Sequence, residues 1–416
     1  MNTSELFDPD RKSKAWLVFA LCLIVLVVSS WFAARIQQDF GRVRVENVTY
    51  LNYNGIRVRA KLMKPRDASA KNLMPGIVYI HGYQNNRETS DAYCIEFARR
   101  GMVVLSIDAI GRGNSGVPGD LSDPQFDQTY GGLTSLKFLK ALPFVDLDKV
   151  GLAGHSLGAE MVYGLAILDQ SIRGLVISGF AYNDKATAQQ PKNMLMIFGK
   201  YDEFRRRMTS TEDFEAEWMT TALSRKVIGE KQPELGKTYG DFEIGTARRV
   251  FMPKITHLRT SHSKKAVAEA VGWMRQALKP ADRLWIPAEK QIWHLKEWAT
   301  LLAMLAGLAA LMPLGLMLLR TQFFSSLAAP LTVATAYSPG DYFRGAAVNT
   351  VLMWLYFPII FVLFGIHVYL VPIDKAFPLM MVNGIVWWFL WINIIGFLFF
   401  RGWFRKKHRE IGLTLW

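Results

Sequence analysis

Cysteine is almost missing from this 416-residue chain, which holds only Cys22 and Cys94. Two thiols cannot build a disulfide framework, and neither has histidine or cysteine partners at metal-ligand spacing, so no metal site is expected. Acidic residues are outnumbered, 35 Asp and Glu against 49 Lys and Arg, for a net charge of +14. No nucleic-acid motif accompanies that excess, and clusters such as Arg205-Arg206-Arg207 read as solvated faces, which excludes nucleic acid as a partner. Gly111, Gly113 and Gly116 lack a following Gly-Lys-Ser/Thr, so they are turn residues rather than a phosphate loop. No organic cofactor is implied.

Charge is absent altogether from four runs, residues 15–34, 298–319, 346–371 and 378–400. A bilayer crossing needs about 20 mostly apolar residues, and each run supplies them. Trp16, Trp31 and Trp298 sit near the ends, where amphipathic rings favour the interface. Lys and Arg flanking short loops are retained in the cytoplasm. Arg11, Lys12 and Lys14 precede the first run, Arg320 and Arg344 lie between the second and third, and Arg401, Arg405, Lys406, Lys407 and Arg409 follow the fourth. With four spans these groups share one side. Residues 1–14 and the basic tail 401–416 are then cytoplasmic, and residues 35 to about 297 are outside. The first run exceeds the apolar core of a signal peptide and Phe32-Ala33-Ala34 lacks a small-x-small site, so an uncleaved anchor is expected. Polar residues inside the runs, Asn349, Asn383, Asn393 and His367, have no charged partner nearby in sequence, which argues against transport. The bilayer is thus one partner, and a disulfide-free outward domain suits a bacterial envelope.

Between the first two runs the pattern changes. Residues 42–51 and 56–63 alternate as strands around the turn Tyr53-Asn54-Gly55. A continuous apolar strand at 74–80 ends in His81-Gly82, followed by a helix at 91–100 and a strand at 102–107. Helix 132–142, strand 150–153, helix 157–168, strands 174–179, 194–199 and 249–255, and helix 264–278 complete the series. Such alternation predicts an α/β unit, a mostly parallel sheet with helices on both faces.

At the end of the 150–153 strand stands Gly154-His155-Ser156-Leu157-Gly158. A Gly-x-Ser-x-Gly sequence between strand and helix is a nucleophile elbow: the serine backbone is strained, Oγ is lifted clear of the sheet, and the flanking glycines permit close approach. A serine needs a base to take its proton and a carboxylate to orient that base.

The order of elements over residues 42–280, with His81-Gly82, the run Asp108-Ala109-Ile110-Gly111-Arg112-Gly113-Asn114-Ser115 and the elbow, resembles the α/β-hydrolase superfamily. The leading hairpin and "FVDLDKVGLAGHSLGAE" are most similar to its dienelactone hydrolase and prolyl oligopeptidase branch. The resemblance implies Ser156 as nucleophile and chain order serine, acid, histidine. Asp202 in "MLMIFGKYDEF" is the expected acid, with Glu203 and Asp184 as alternatives. His257, at a strand end, is the expected base; His262, beside the helix cap Ser263, is the other candidate. Backbone N–H groups of Tyr83 and Leu157 are the expected oxyanion donors, and His81 and His155 are supporting residues. Residues 204–247 exceed one crossover, with a helix expected at 211–224. Its Phe214, Trp218 and Met219 form either a lid or a face packed on the sheet. Together these readings imply a membrane-anchored serine hydrolase acting on a small-molecule, lipid or envelope-derived ester. A peptidase, an acyltransferase or a catalytically silent receptor module on the same fold is the alternative.

Overall fold

The computed structural model describes residues 9–83, 85–118, 123–325, 339–354 and 380–407. The chain forms two compact units, Phe32–Trp298, and Met1–Trp31 with Ala299–Trp416. Helix α1 (Pro9–Gln37) precedes the first strand.

The larger unit is built on β1 (Val43–Leu51), β2 (Arg57–Pro65), β3 (Met74–Ile80), β4 (Val103–Ile107), β5 (Val145–His155), β6 (Gly174–Ser178), β7 (Met194–Ile197) and β8 (Arg248–Phe251). Across the sheet the order is β1-β2-β4-β3-β5-β6-β7-β8. β1 pairs antiparallel with β2, and β2 with β4, while every other neighbouring pair is parallel. The Asn52 carboxamide closes the β1–β2 turn by accepting the Asn54 and Ile56 N–H groups at 3.0 and 2.8 Å. From β3 the chain steps out to β4 and then returns to β5 on the other side of β3. In such sheets the strand ends at this reversal open a crevice where ligands sit.

The apolar strands are covered on both faces, which is why they read as continuous runs rather than alternations. Val78 and Ile80 of β3 join one core with Leu136 and Leu139 of α3 (Gly132–Lys140) and Val162 and Leu165 of α4 (Leu157–Leu168). Ile77 and Tyr79 point the other way, into a core with Tyr93 and Phe97 of α2 (Asp91–Ala98) and Val267, Trp273 and Met274 of α7 (Lys264–Leu278). Ser263 starts α7 by accepting the Ala266 N–H. β5 is longer than the expected 150–153, because Val145 also pairs with Met74 beyond an irregularity in the ladder.

The helix expected at 211–224 is broken. A short α5 (Arg205–Thr209) is followed by a single wide turn at Phe214–Trp218, then α6 (Ala222–Ile228). Two caps lie inside the stretch and each begins a new element. Asp213 accepts the Glu215 and Ala216 N–H groups, and Thr221, in extended conformation, accepts that of Ser224. Phe214 and Trp218 are buried; Phe214 stacks on Phe198 at 4.8 Å and Trp218 meets Tyr182 at 4.7 Å, so these rings are core.

Four membrane-crossing runs are expected from the sequence. Among the described residues, two helices are long and apolar enough to cross a bilayer, Lys14–Gln37 within α1 and α8 (Trp293–Leu318). Leu17, Leu21, Ile24 and Val27 of the first, and Leu302, Leu305, Leu308 and Leu311 of the second, are exposed, whereas a soluble core helix would bury them. The third run begins in α9 (Pro339–Trp354), and its residues 355–371, including His367, lie outside the described residues. The fourth falls largely in α10 (Met380–Lys407), of which Ile385–Leu398 is the apolar section among the described residues. Within it the Asn393 amide donates to the Phe389 carbonyl at 2.7 Å.

Candidate active site

Ser156 sits between the end of β5 and the start of α4 with φ 53° and ψ −120°, a conformation most side chains avoid. Its N–H is tied to the Ser178 carbonyl at 2.8 Å, which fixes the turn against β6. The two glycines of the pentapeptide are dictated by space. A Cβ on Gly158 would stand 2.1 Å from the Ile80 carbonyl oxygen, and one on Gly154 would stand 2.5 Å from that of Gly158. Helix α4 therefore starts hard against the end of β3, and Ser156 is left partly exposed at the crevice.

Three of the expected residues meet there. His257 Nε2 lies 2.9 Å from Ser156 Oγ, and His257 Nδ1 lies 2.8 Å from Asp202 Oδ2. Asp202 is fully buried and its Oδ2 accepts from the ring, so the imidazole carries its hydrogen on Nδ1 and offers a lone pair at Nε2 to the serine hydroxyl. Asp202 is itself aligned by the Phe204 N–H, which donates to Oδ1 at 2.9 Å. The alternatives fall elsewhere. Asp184 is exposed, the His262 ring faces Trp293 at 6.0 Å, and Glu203 accepts the backbone N–H of His257 at 2.8 Å instead of reaching the ring.

A serine on a strained turn after the fifth strand of this sheet thus faces a histidine and a carboxylate. The fold is that of the α/β hydrolases, and the site has the arrangement of a serine hydrolase. A family model described as acetyl xylan esterase (AXE1) matches residues 32–135, ahead of the serine. The uncharacterized protein PA2218 of Pseudomonas aeruginosa is 26% identical over 170 residues, which are 38% of this chain and 45% of that one; the match thus spans less than half of the relative. The crystal structure of PA2218 has a TM-score of 0.41 at 16% identity, over 57% of this chain and 94% of that one. Est1E from Butyrivibrio proteoclasticus, bound to ferulic acid, has a TM-score of 0.39 at 16% identity, over 56% and 100% of the two chains. The Pyrobaculum calidifontis esterase has the same score and identity over 64% and 98%.

The hydrolase surrounds its site with histidines that do not titrate in the working range. His81 accepts the Ala109 N–H through Nε2 at 3.1 Å and lies 2.7 Å from the Gly82 carbonyl through Nδ1; burial, the leading cause, lowers its pKa to about 4. His155 donates from Nε2 to the His257 carbonyl at 3.2 Å, and burial, followed by the neighbouring His257, lowers it to about 3. Both values lie below the ordinary 6.5. Above that pH both folded and unfolded chains hold these rings neutral. As pH falls, the unfolded chain takes up protons that the folded one refuses, so stability drops from about pH 6.5 downward until the folded values are reached. The expected slope is about 1.4 kcal/mol per pH unit for each ring. Thermal unfolding of the solubilised chain between pH 7.5 and 4.5 should show a falling midpoint; a flat one would mean that neither ring is held neutral.

Several functional neighbours have no local signature in the sequence. Gly179 has φ +63°, and a Cβ there would stand 3.0 Å from His257 Cε1 and 3.1 Å from His155 Nε2. Gly179→Ala is expected to push the imidazole off line and slow labelling of Ser156 by a fluorophosphonate about 100-fold, since a misplacement near 1 Å costs that much. An unchanged rate in a folded variant would show that the ring has room to spare. Phe204 sets its ring edge-on to His257 at 4.8 Å. Gly82 passes close to the nucleophile, a Cβ there standing 3.4 Å from Ser156 Cβ. The next residue, Tyr83, is gripped by Arg112, whose Nε donates to the Tyr83 carbonyl at 2.5 Å and whose guanidinium lies over the Tyr83 ring at 5.0 Å. Buried Arg112 thus fixes the peptide segment expected to receive the oxyanion. The sequence marked that loop only by its glycines.

Proposed function

We propose that this hydrolase is a membrane-anchored esterase that works outside the cytoplasm and passes through an acyl-enzyme. Ser156 attacks the ester carbonyl as His257 takes its proton; His257 then returns that proton to the departing alcohol, and the same pair activates water to release the acid. Asp202 holds the imidazole in the tautomer this needs. The Leu157 and Tyr83 N–H groups receive the negative charge on the carbonyl oxygen, a contribution of roughly 3 kcal/mol per donor in comparable sites.

The observation that carries the reading is the unbroken line Ser156 Oγ, His257, Asp202, at 2.9 and 2.8 Å, on a serine that solvent can reach. An ester is the favoured bond because its leaving alcohol demands least of protonation. The match to an acetyl xylan esterase model supports short acyl groups as the first substrates to examine. The two apolar helices support anchoring, and the distribution of Lys and Arg supports cytoplasmic termini with residues 35 to about 297 outside.

The test is hydrolysis of p-nitrophenyl acetate, butyrate and octanoate and of acetyl-p-nitroanilide by the purified full chain. Ester turnover that ends on fluorophosphonate treatment, with little anilide cleavage, is the expected result. A labelled protein that cleaves only the anilide would be a peptidase. A folded protein that is neither labelled nor active would be a silent module.

A further inference from the structure

Just after α1 the chain forms a second cavity-like feature that the hydrolase mechanism does not use. Gln38, Gly41, Arg44, Lys64 and Arg66 line a cavity of about 510 Å³, within the size range of small-ligand sites. Three cations stand in its lining, beside Val43 and Val45. Arg44 and Lys64 face each other directly across the antiparallel β1–β2 ladder, a like-charge pairing that costs stability, and the Lys64 ammonium lies over the Phe144 ring at 4.4 Å. A Cβ on Gly41 would stand 3.7 Å from Arg35 Nη2 and 3.8 Å from Arg66 Nη2, so one further guanidinium, that of Arg35, which also donates to the Phe40 carbonyl at 3.2 Å, reaches the rim. The nearby acids are mostly committed. Asp39 binds Arg99 at 2.9 Å and Asp67 binds Arg283 at 2.6 Å, which leaves Glu46 on Arg44 as the local counter-charge.

We propose that this cavity binds a phosphate group, and that its source is the headgroup of an anionic phospholipid. Guanidinium pairs match phosphate oxygens in fork geometry, and lysine adds a point charge. The lipid source rests on the membrane-anchored reading above. Residues 15–34, at about 1.5 Å per residue, span roughly 30 Å, the thickness of the hydrocarbon core. Arg35 then falls at the hydrocarbon edge, and Gln38 and Gly41 follow it into the headgroup layer. Phe40, between them in sequence, leaves its ring exposed and 6.2 Å from that of Phe32, as an interfacial anchor does. Arginines this close to the outer end of a span run against the usual bias of Lys and Arg toward the cytoplasm. An anionic ligand gives them a function there.

The experiment is native mass spectrometry of the detergent-solubilised full chain with added dioleoyl-phosphatidylglycerol or dioleoyl-phosphatidylcholine. The wild type is compared with Arg44→Gln/Lys64→Gln/Arg66→Gln. Each cation near an anionic headgroup contributes about fivefold in binding, so the triple variant should retain phosphatidylglycerol on the order of 100-fold less well, with phosphatidylcholine unaffected. Arg66→Glu alone, at an exposed position, should weaken retention more than about tenfold and guards against misfolding of the triple variant. Millimolar inorganic phosphate that displaces the lipid, and binds the wild type alone, would assign the site to soluble phosphate; failure to displace assigns it to lipid. Equal phosphatidylglycerol retention by wild type and both variants overturns the site. Alkaline carbonate extraction of wild-type membranes separates the two readings, because a released protein refutes anchoring whatever the lipid measurement gives.

Discussion

Replacing Ser156 by alanine is expected to abolish fluorophosphonate labelling and to lower kcat by about 10⁶-fold. The size of the loss follows from what Oγ does. Without it no acyl-enzyme forms, and what remains is attack by water on a carbonyl still held by oxyanion donors, worth about 10³ to 10⁴ over the uncatalysed rate. The more discriminating result is the double variant. His257 Nε2 has Ser156 Oγ as its partner at 2.9 Å, so once the hydroxyl is gone the imidazole has no proton to accept. Ser156→Ala/His257→Ala should therefore be nearly as active as either single variant, a departure from additivity that marks groups acting as one unit. Residual rates from ester hydrolysis by the three purified proteins check this. Losses that multiply would mean that the two side chains act in separate steps and that the hydrogen bond between them is incidental.

Much of this site was legible because its chemistry is tied to chain order and to strand ends. Helices α4 and α7 have the ends expected from sequence, and the turn between β5 and α4 puts Ser156 where the pentapeptide implies. Asp202 and His257 stand five and six residues beyond β7 and β8, which end at Ile197 and Phe251 rather than at the expected 199 and 255, and parallel pairing of those two strands brings their ends side by side. What was not legible depends on contacts distant in sequence. Gly179 matters because two imidazoles converge on it, one from β5 and one from the segment after β8. Arg112 matters because its guanidinium reaches back to the Tyr83 carbonyl. Glu203 looks like a spare acid in sequence; only the fold shows that its carboxylate is used on the backbone of His257. The broken helix at 211–224 had the opposite cause. Its caps, Asp213 and Thr221, each begin a new element, which the apolar spacing of Phe214, Trp218 and Met219 does not reveal.

Asp202→Asn is expected to leave the fold and KM nearly unchanged while lowering kcat by about 10⁴-fold. An asparagine fits the same space, and its orientation is decided by the Phe204 N–H, which donates to Oδ1 at 2.9 Å in the native site. The amide oxygen must stay on that donor, so the NH₂ group turns toward His257 Nδ1. Nδ1 can then only accept, the ring hydrogen moves to Nε2, and Nε2 donates to Ser156 Oγ where it should accept from it. The base is present, correctly placed and in the wrong tautomer. Glu203→Gln provides the contrast. That side chain accepts the His257 backbone N–H at 2.8 Å, a bond that a glutamine oxygen still makes, so its expected loss is under about tenfold. Steady-state kinetics on the two variants separate the roles of the adjacent acids. Comparable losses would place Glu203 beside Asp202 as an orienting carboxylate, and a small loss for Asp202→Asn alone would remove Asp202 from the mechanism.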